Sequence, residues 1–128
     1  MRIRFSRRHQ PAFTLVELLI VVVIIGLLAV IAISNYALAR DSFRLNSIYS
    51  NLRRLDTAKT MWALEQGRRV GEDVADVSVL SDYLRGGRIR DVVNETYIPN
   101  PVGEAPEAAL PEDVSLGPYA AGALIPAP

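Results

Sequence analysis

Cysteine is absent from the 128 residues, which excludes a disulfide, a lipid-modified cysteine anchor and any thiolate metal site. Histidine is nearly absent too: His9 is the only one, and it precedes the first acidic residue, Glu17. Beyond that point nucleophile–imidazole pairs and zinc centres have no residues to be built from. No Gly-rich phosphate loop, dinucleotide fingerprint or paired-carboxylate motif takes their place, and no internal repeat is visible. The chain reads as a non-enzyme. Its formal charge is zero, but the charges are segregated: Arg2, Arg4, Arg7 and Arg8 come before any acid. Without them the remainder is net acidic, and its sequence shows no basic patch, which argues against nucleic acid as a partner.

What the chain does have is grease. Residues 13–33 read FTLVELLIVVVIIGLLAVIAI, interrupted only by Thr14 and Glu17. As a helix this run spans about 31 Å, close to the thickness of a bilayer's hydrocarbon core. Val, Ile, Leu and Phe fill 16 of its positions. They favour insertion by roughly 5–10 kcal/mol, whereas one carboxylate opposes it by about 3 kcal/mol even at the centre of the span. Insertion wins. The arginines ahead of the run place the N-terminus in the cytoplasm and the C-terminal part across the membrane, as a single pass. Gly26, mid-span, lets another helix approach closely.

A cleaved secretory signal is the other reading of the same residues. Ala37-Leu38-Ala39 is an A-x-A-like site, and cleavage after Ala39 would release a soluble exported binding protein. The length of the apolar run and the glutamate beside its positive end favour a retained anchor instead.

Beyond Ile33 the pattern becomes amphipathic, with no strong breaker until Gly67. Leu38, Leu45, Ile48, Leu52, Leu55, Ala58 and Trp62 recur at helical spacing, opposite Arg40, Asp41, Arg44, Asn51, Arg54 and Lys59. This predicts one helix over residues 15–66, about 78 Å long at 1.5 Å per residue, with Gly67 as its C-cap. A shorter helix is expected at 77–85, with Asp76 as N-cap and Gly86-Gly87 ending it. Short strands are expected at 89–93, 96–98 and 114–116, in a region broken by Pro99, Pro101, Pro106, Pro111 and Pro118. The organisation is thus a basic N-terminal segment (1–12), a membrane helix (13–35), an amphipathic helix on the far side of the membrane (36–67), a small globular part (68–118) and an irregular tail (119–128). The fold class is α+β: a long N-terminal helix with a small C-terminal domain of one short helix and a few short strands or irregular loops.

The segment Pro11-Ala12-Phe13-Thr14-Leu15-Val16-Glu17 resembles the cleavage and methylation motif of type IV prepilins and type II secretion pseudopilins. The resemblance covers residues 12–36 closely and fades beyond the long helix. It implies cutting by a prepilin peptidase between Ala12 and Phe13, with N-methylation of Phe13. Glu17 corresponds to the family's glutamate at the fifth mature position, and Gly26 lies within the matching first helix. Two positions depart from the pattern: Ala12 stands where glycine is usual, and Ser34 stands where proline is common. A carboxylate in lipid either snorkels to the headgroup boundary, which suffices for an isolated subunit, or finds a partner. For an assembled fibre the resemblance implies the Phe13 amine of a neighbouring subunit, exposed by cleavage.

The resemblance implies a structural subunit of a type II secretion pseudopilus or type IV pilus-like fibre. Its partners would be the peptidase, other pilin or pseudopilin subunits, an inner-membrane assembly platform and the lipid bilayer. The small size and the lack of a disulfide favour the secretion branch. A tethered accessory protein that never polymerises is a further alternative. Major pseudopilins carry calcium in C-terminal loops, and Glu72, Asp73 and Asp76, or Glu112 and Asp113, are the acids available here. The family's Gly- and Asp-rich calcium loop is not recognisable, and solvated acids explain the clusters more simply, so no cofactor is expected.

Overall fold

The computed structural model describes residues 12–128. The elements in chain order are helix α1 (Leu15–Gln66), a 3₁₀ helix (Val77–Tyr83) and strands β1 (Thr96–Ile98), β2 (Glu107–Ala109) and β3 (Leu124–Pro126). The fold is α+β. It divides into two compact units, Met1–Tyr36 and Ala37–Pro128. The leader arginines and His9 lie outside the described residues.

In the first unit, α1 opens at Thr14, whose hydroxyl accepts the Glu17 N–H at 3.2 Å. The Val- and Ile-rich run that follows would be a weak helix former in water. In hydrocarbon, however, a helix is the only open segment that satisfies its own backbone polar groups. All of its large apolar side chains are exposed. It is one helix long and apolar enough to cross a membrane.

In the second unit the amphipathic stripe is buried. Leu55, Ala58, Trp62 and Ala63 pack with Val74, Leu80, Leu84 and Val102. One helical turn or more earlier, Ile48 and Leu52 pack with Val93, Ala108, Leu110, Leu116 and Ile125. Each fully buried Leu or Ile contributes about 1.5–3 kcal/mol, so these two groups carry the domain. Leu38 departs from the stripe, being 71 % exposed. Gly67 ends α1 at φ 65°, and the Arg68 N–H reaches back to the Ala63 carbonyl at 2.8 Å, which closes the last turn as a Schellman motif.

The sheet order is β1-β2-β3, antiparallel throughout, with Tyr97 opposite Ala108 and Ala108 opposite Ile125. Only β1 coincides with an expected strand. The stretch 89–93 is not a strand, because side chains take the backbone groups a ladder would use. The Glu95 carboxylate accepts the Val92 and Val93 N–H groups at 2.9 and 2.7 Å, and the Asn51 amide donates to the Arg90 carbonyl at 2.9 Å. Residues 114–116 form no strand either: the Val114 N–H closes a turn onto Pro111, and Leu116 makes an isolated bridge to Tyr119. The expected irregular tail, 119–128, supplies β3, with Ile125 fully buried.

The helix expected at 77–85 is a 3₁₀ helix and ends at Tyr83. Asp76 caps it as expected, accepting the Val77 N–H at 2.6 Å and the Ser78 hydroxyl at 3.0 Å. Seven residues containing two β-branched valines gain little from α-helical winding, and the tighter turn suffices.

Asn51, placed on the polar face by its chemistry, is buried and joins Tyr97 and Glu95 in one hydrogen-bonded group: its amide donates to the Tyr97 hydroxyl at 2.9 Å, and that hydroxyl donates to Glu95. Burial, aided by the Glu95 carboxylate, raises the Tyr97 phenol above the ordinary tyrosine value of 10.0. The folded protein therefore holds this proton more tightly than the unfolded chain. That contribution is complete below the unfolded value and is lost as the pH rises toward the folded one. Denaturation midpoints should accordingly begin to decline as the pH rises above about 10, and Tyr97→Phe should flatten the slope. A variant with the wild-type slope would assign the loss to other groups.

Candidate functional site

Ala12 and Phe13 are exposed and precede the first turn of α1, and Glu17 lies within that turn. Thr14, Leu15, Val16 and Glu17 fit the T-x-x-E capping pattern, in which the threonine accepts a hydrogen bond from the N–H three residues on. Thr14 is a site residue that the sequence motif alone does not single out, although the capping signature is present at that spacing. Its bond fixes where the helix starts and hence where the Glu17 backbone stands. A carboxylate in a helix's first turn also meets the positive end of the backbone dipole, worth about 0.3–1 kcal/mol. At Gly26 nothing lies within 4 Å of where a Cβ would stand, so that face of the helix is open.

A second polar site lies in the other unit. Lys59, the chain's only lysine, is 1 % exposed rather than on the solvent face. Its ammonium donates to the carbonyls of Pro99 at 2.7 Å, Pro101 at 3.2 Å and Glu104. The Asp56 carboxylate stands 3.9 Å away at the surface. Burial lowers the lysine's pKa, while the Asp56 and Glu104 carboxylates oppose that shift. The loop it holds is further closed by Asn100, whose amide donates to the Ala105 carbonyl at 2.8 Å. Gly103 (φ 91°) is needed there, since a Cβ would meet Val70 at 2.7 Å. Three converging carbonyls are the donor type a hard cation takes, and here the chain's own ammonium fills them.

The acids considered for calcium do not converge. Glu72 pairs with Arg68 at 3.5 Å, Asp76 is committed to its cap, and Glu112 and Asp113 form the tip of the Pro111–Val114 turn. Among the described residues no group of three acidic or imidazole side chains is placed to hold a metal.

A basic patch does exist, contrary to the reading of the linear sequence. Arg54, Arg85, Arg88 and Arg90 line an open cavity of about 600 Å³ with Gly86. Arg53, Arg54 and Arg85 border an adjoining one. The Arg54 guanidinium donates to the Arg85 carbonyl at 3.0 Å, which ties the two segments together.

An uncovered apolar helix segment that opens on a capped Thr-x-x-Glu turn is a single N-terminal element suited to membrane anchoring, and the later turns of the same helix supply the core stripe of a small α+β unit. Residues 7–33 match the Prokaryotic N-terminal methylation motif. The chain is similar to the type IV major pilin protein PilA of Myxococcus xanthus (strain DK1622), at 42 % identity over 65 residues, which is 51 % of this chain and 29 % of that relative. No solved structure matches the chain significantly.

Proposed function

We propose that this chain is a fibre subunit, cut between Ala12 and Phe13, methylated at Phe13 and drawn from the membrane into a helical fibre of the type II secretion pseudopilus kind. The observation that carries this reading is the methylation motif at residues 7–33 running into an apolar helix that nothing in the described chain covers. Such a surface has two suitable solvents, lipid before assembly and neighbouring copies of the same helix after it. The N-terminus faces the cytoplasm, where the peptidase acts, and the head lies in the periplasm. Glu17 takes the Phe13 amine of a neighbouring subunit as its counter-charge. An assembly platform in the inner membrane supplies the work of extraction.

Mass spectrometry of the mature protein tests the processing step. The expected N-terminus is N-methylated Phe13. A chain that begins at Arg40 and is recovered free of membrane would replace this reading with that of an exported soluble protein. Deleting the gene separates the two fibre types: loss of secreted proteins without loss of surface pili is expected, and the reverse would make it a pilus subunit.

A further inference from the structure

Among the described residues the arginine cavity has no carboxylate partner. Among the described residues the ion pairs are Lys59 with Asp56 and Arg68 with Glu72, so none of Arg53, Arg54, Arg85, Arg88 or Arg90 has a carboxylate within 4.0 Å. Three segments converge to make the patch: the outer stripe of α1 (Ser50, Arg53, Arg54, Thr57), the end of the 3₁₀ helix, and the glycine-containing stretch to Arg90. Guanidinium groups gathered in this way are suited to planar, two-oxygen anions.

The same domain presents a complementary feature elsewhere. Glu112 and Asp113 occupy the two central positions of the turn closed by the Val114 N–H on the Pro111 carbonyl at 3.2 Å. Both are exposed and neither has a cationic partner among the described residues. The turn lies between β2 and β3, and no residue of it lines the arginine cavity.

We propose that the arginine cavity receives the Glu112–Asp113 turn of a neighbouring copy of this chain. A knob and a socket made of different residues of one molecule form a head-to-tail contact. Such a contact yields a ring if its rotation closes and a filament if it does not, the filament being what the fibre reading requires. The inference rests on the fibre reading and names a contact for its heads. Exposed ion pairs add little singly, but several on one patch set orientation and exclude wrong registers. A long polyanion suits the cavity less well. It would have to run on across a net acidic domain.

The test is a charge swap in the full chain, expressed with its assembly machinery and scored as sheared fibre. Arg88→Glu with Arg90→Glu should lower fibre yield about tenfold or more, as should Glu112→Arg with Asp113→Arg, whereas the four changes together should restore most of it. Circular dichroism of each variant must match wild type, so that lost fibre cannot be lost folding. Either pair leaving fibre intact, or a swap that restores nothing, overturns the contact and leaves the fibre reading standing. If the arginine pair instead abolishes binding to added double-stranded DNA while fibres persist, the cavity serves a polyanion and the proposal is overturned. No fibre from the wild-type chain overturns both readings.

Discussion

Replacing Lys59 with Met is expected to lower the stability of the head by about 3–5 kcal/mol, because it removes a buried charge and leaves the carbonyls of Pro99, Pro101 and Glu104 facing a methyl group. Each buried acceptor left without a donor costs about 1–3 kcal/mol, reduced where a water can enter. A domain of this size holds only about 5–15 kcal/mol in total, so the loss is a large share of what there is. The melting temperature should drop by about 15 °C or more. Near-ultraviolet circular dichroism of the full chain in detergent reports it, since Trp62, the sole tryptophan, packs in the same half of the core.

Asp56→Ala is the control. Its carboxylate is more than half exposed, at 3.9 Å from the ammonium, and its loss should change stability by under about 1 kcal/mol. A Lys59→Met protein that melts within a few degrees of wild type would mean that the loop between Pro99 and Ala105 holds itself.

The second large effect is expected at Glu17. Glu17→Ala removes a carboxylate from an exposed apolar helix, so entry into the membrane should be unchanged or improved. On the proposed pairing, fibre should nevertheless fall by about 100-fold, because the Phe13 amine would be left unpaired among packed helices. Membrane and sheared-fibre fractions, blotted side by side, separate the two quantities. Equal fibre from the alanine variant would eliminate pairing at that position. The processing proposed between Ala12 and Phe13 should be unaffected by the change, so the mature mass must be checked alongside.

The two effects differ in how far the sequence foreshadows them. Helix α1 runs over the residues its periodicity indicates, and Gly67 ends it, because apolar spacing and a left-handed glycine are local signals. Strand β1 is legible from Thr96, Tyr97 and Ile98, which are β-branched or aromatic. Strands β2 and β3 are not, since Glu-Ala-Ala carries little strand preference and Leu-Ile-Pro ends in a proline. They exist through the pairing of β2 with β1 on one side and β3 on the other.

Sequence alone assigns Lys59 and Asn51 to solvent, because charge and amide chemistry ordinarily lie there. Their burial depends on carbonyls some 40 residues further on, at Pro99 and Arg90, a relation that spacing on a helix does not encode. The basic patch is hidden for the same reason: Arg54 is separated in the chain from Arg85, Arg88 and Arg90, and only the fold collects them. Thr14 is the opposite case, a local signature overshadowed by a more conspicuous motif.

The sheet has a consequence for the proposed fibre. Its two outer strands are three residues each, and Pro126 removes one amide from β3 while Pro99 follows β1 directly. Strands that brief, punctuated by proline, offer too few free donors to template further strands. Copies held side by side in such a fibre would thereby be protected from the β-type aggregation that an open ladder invites.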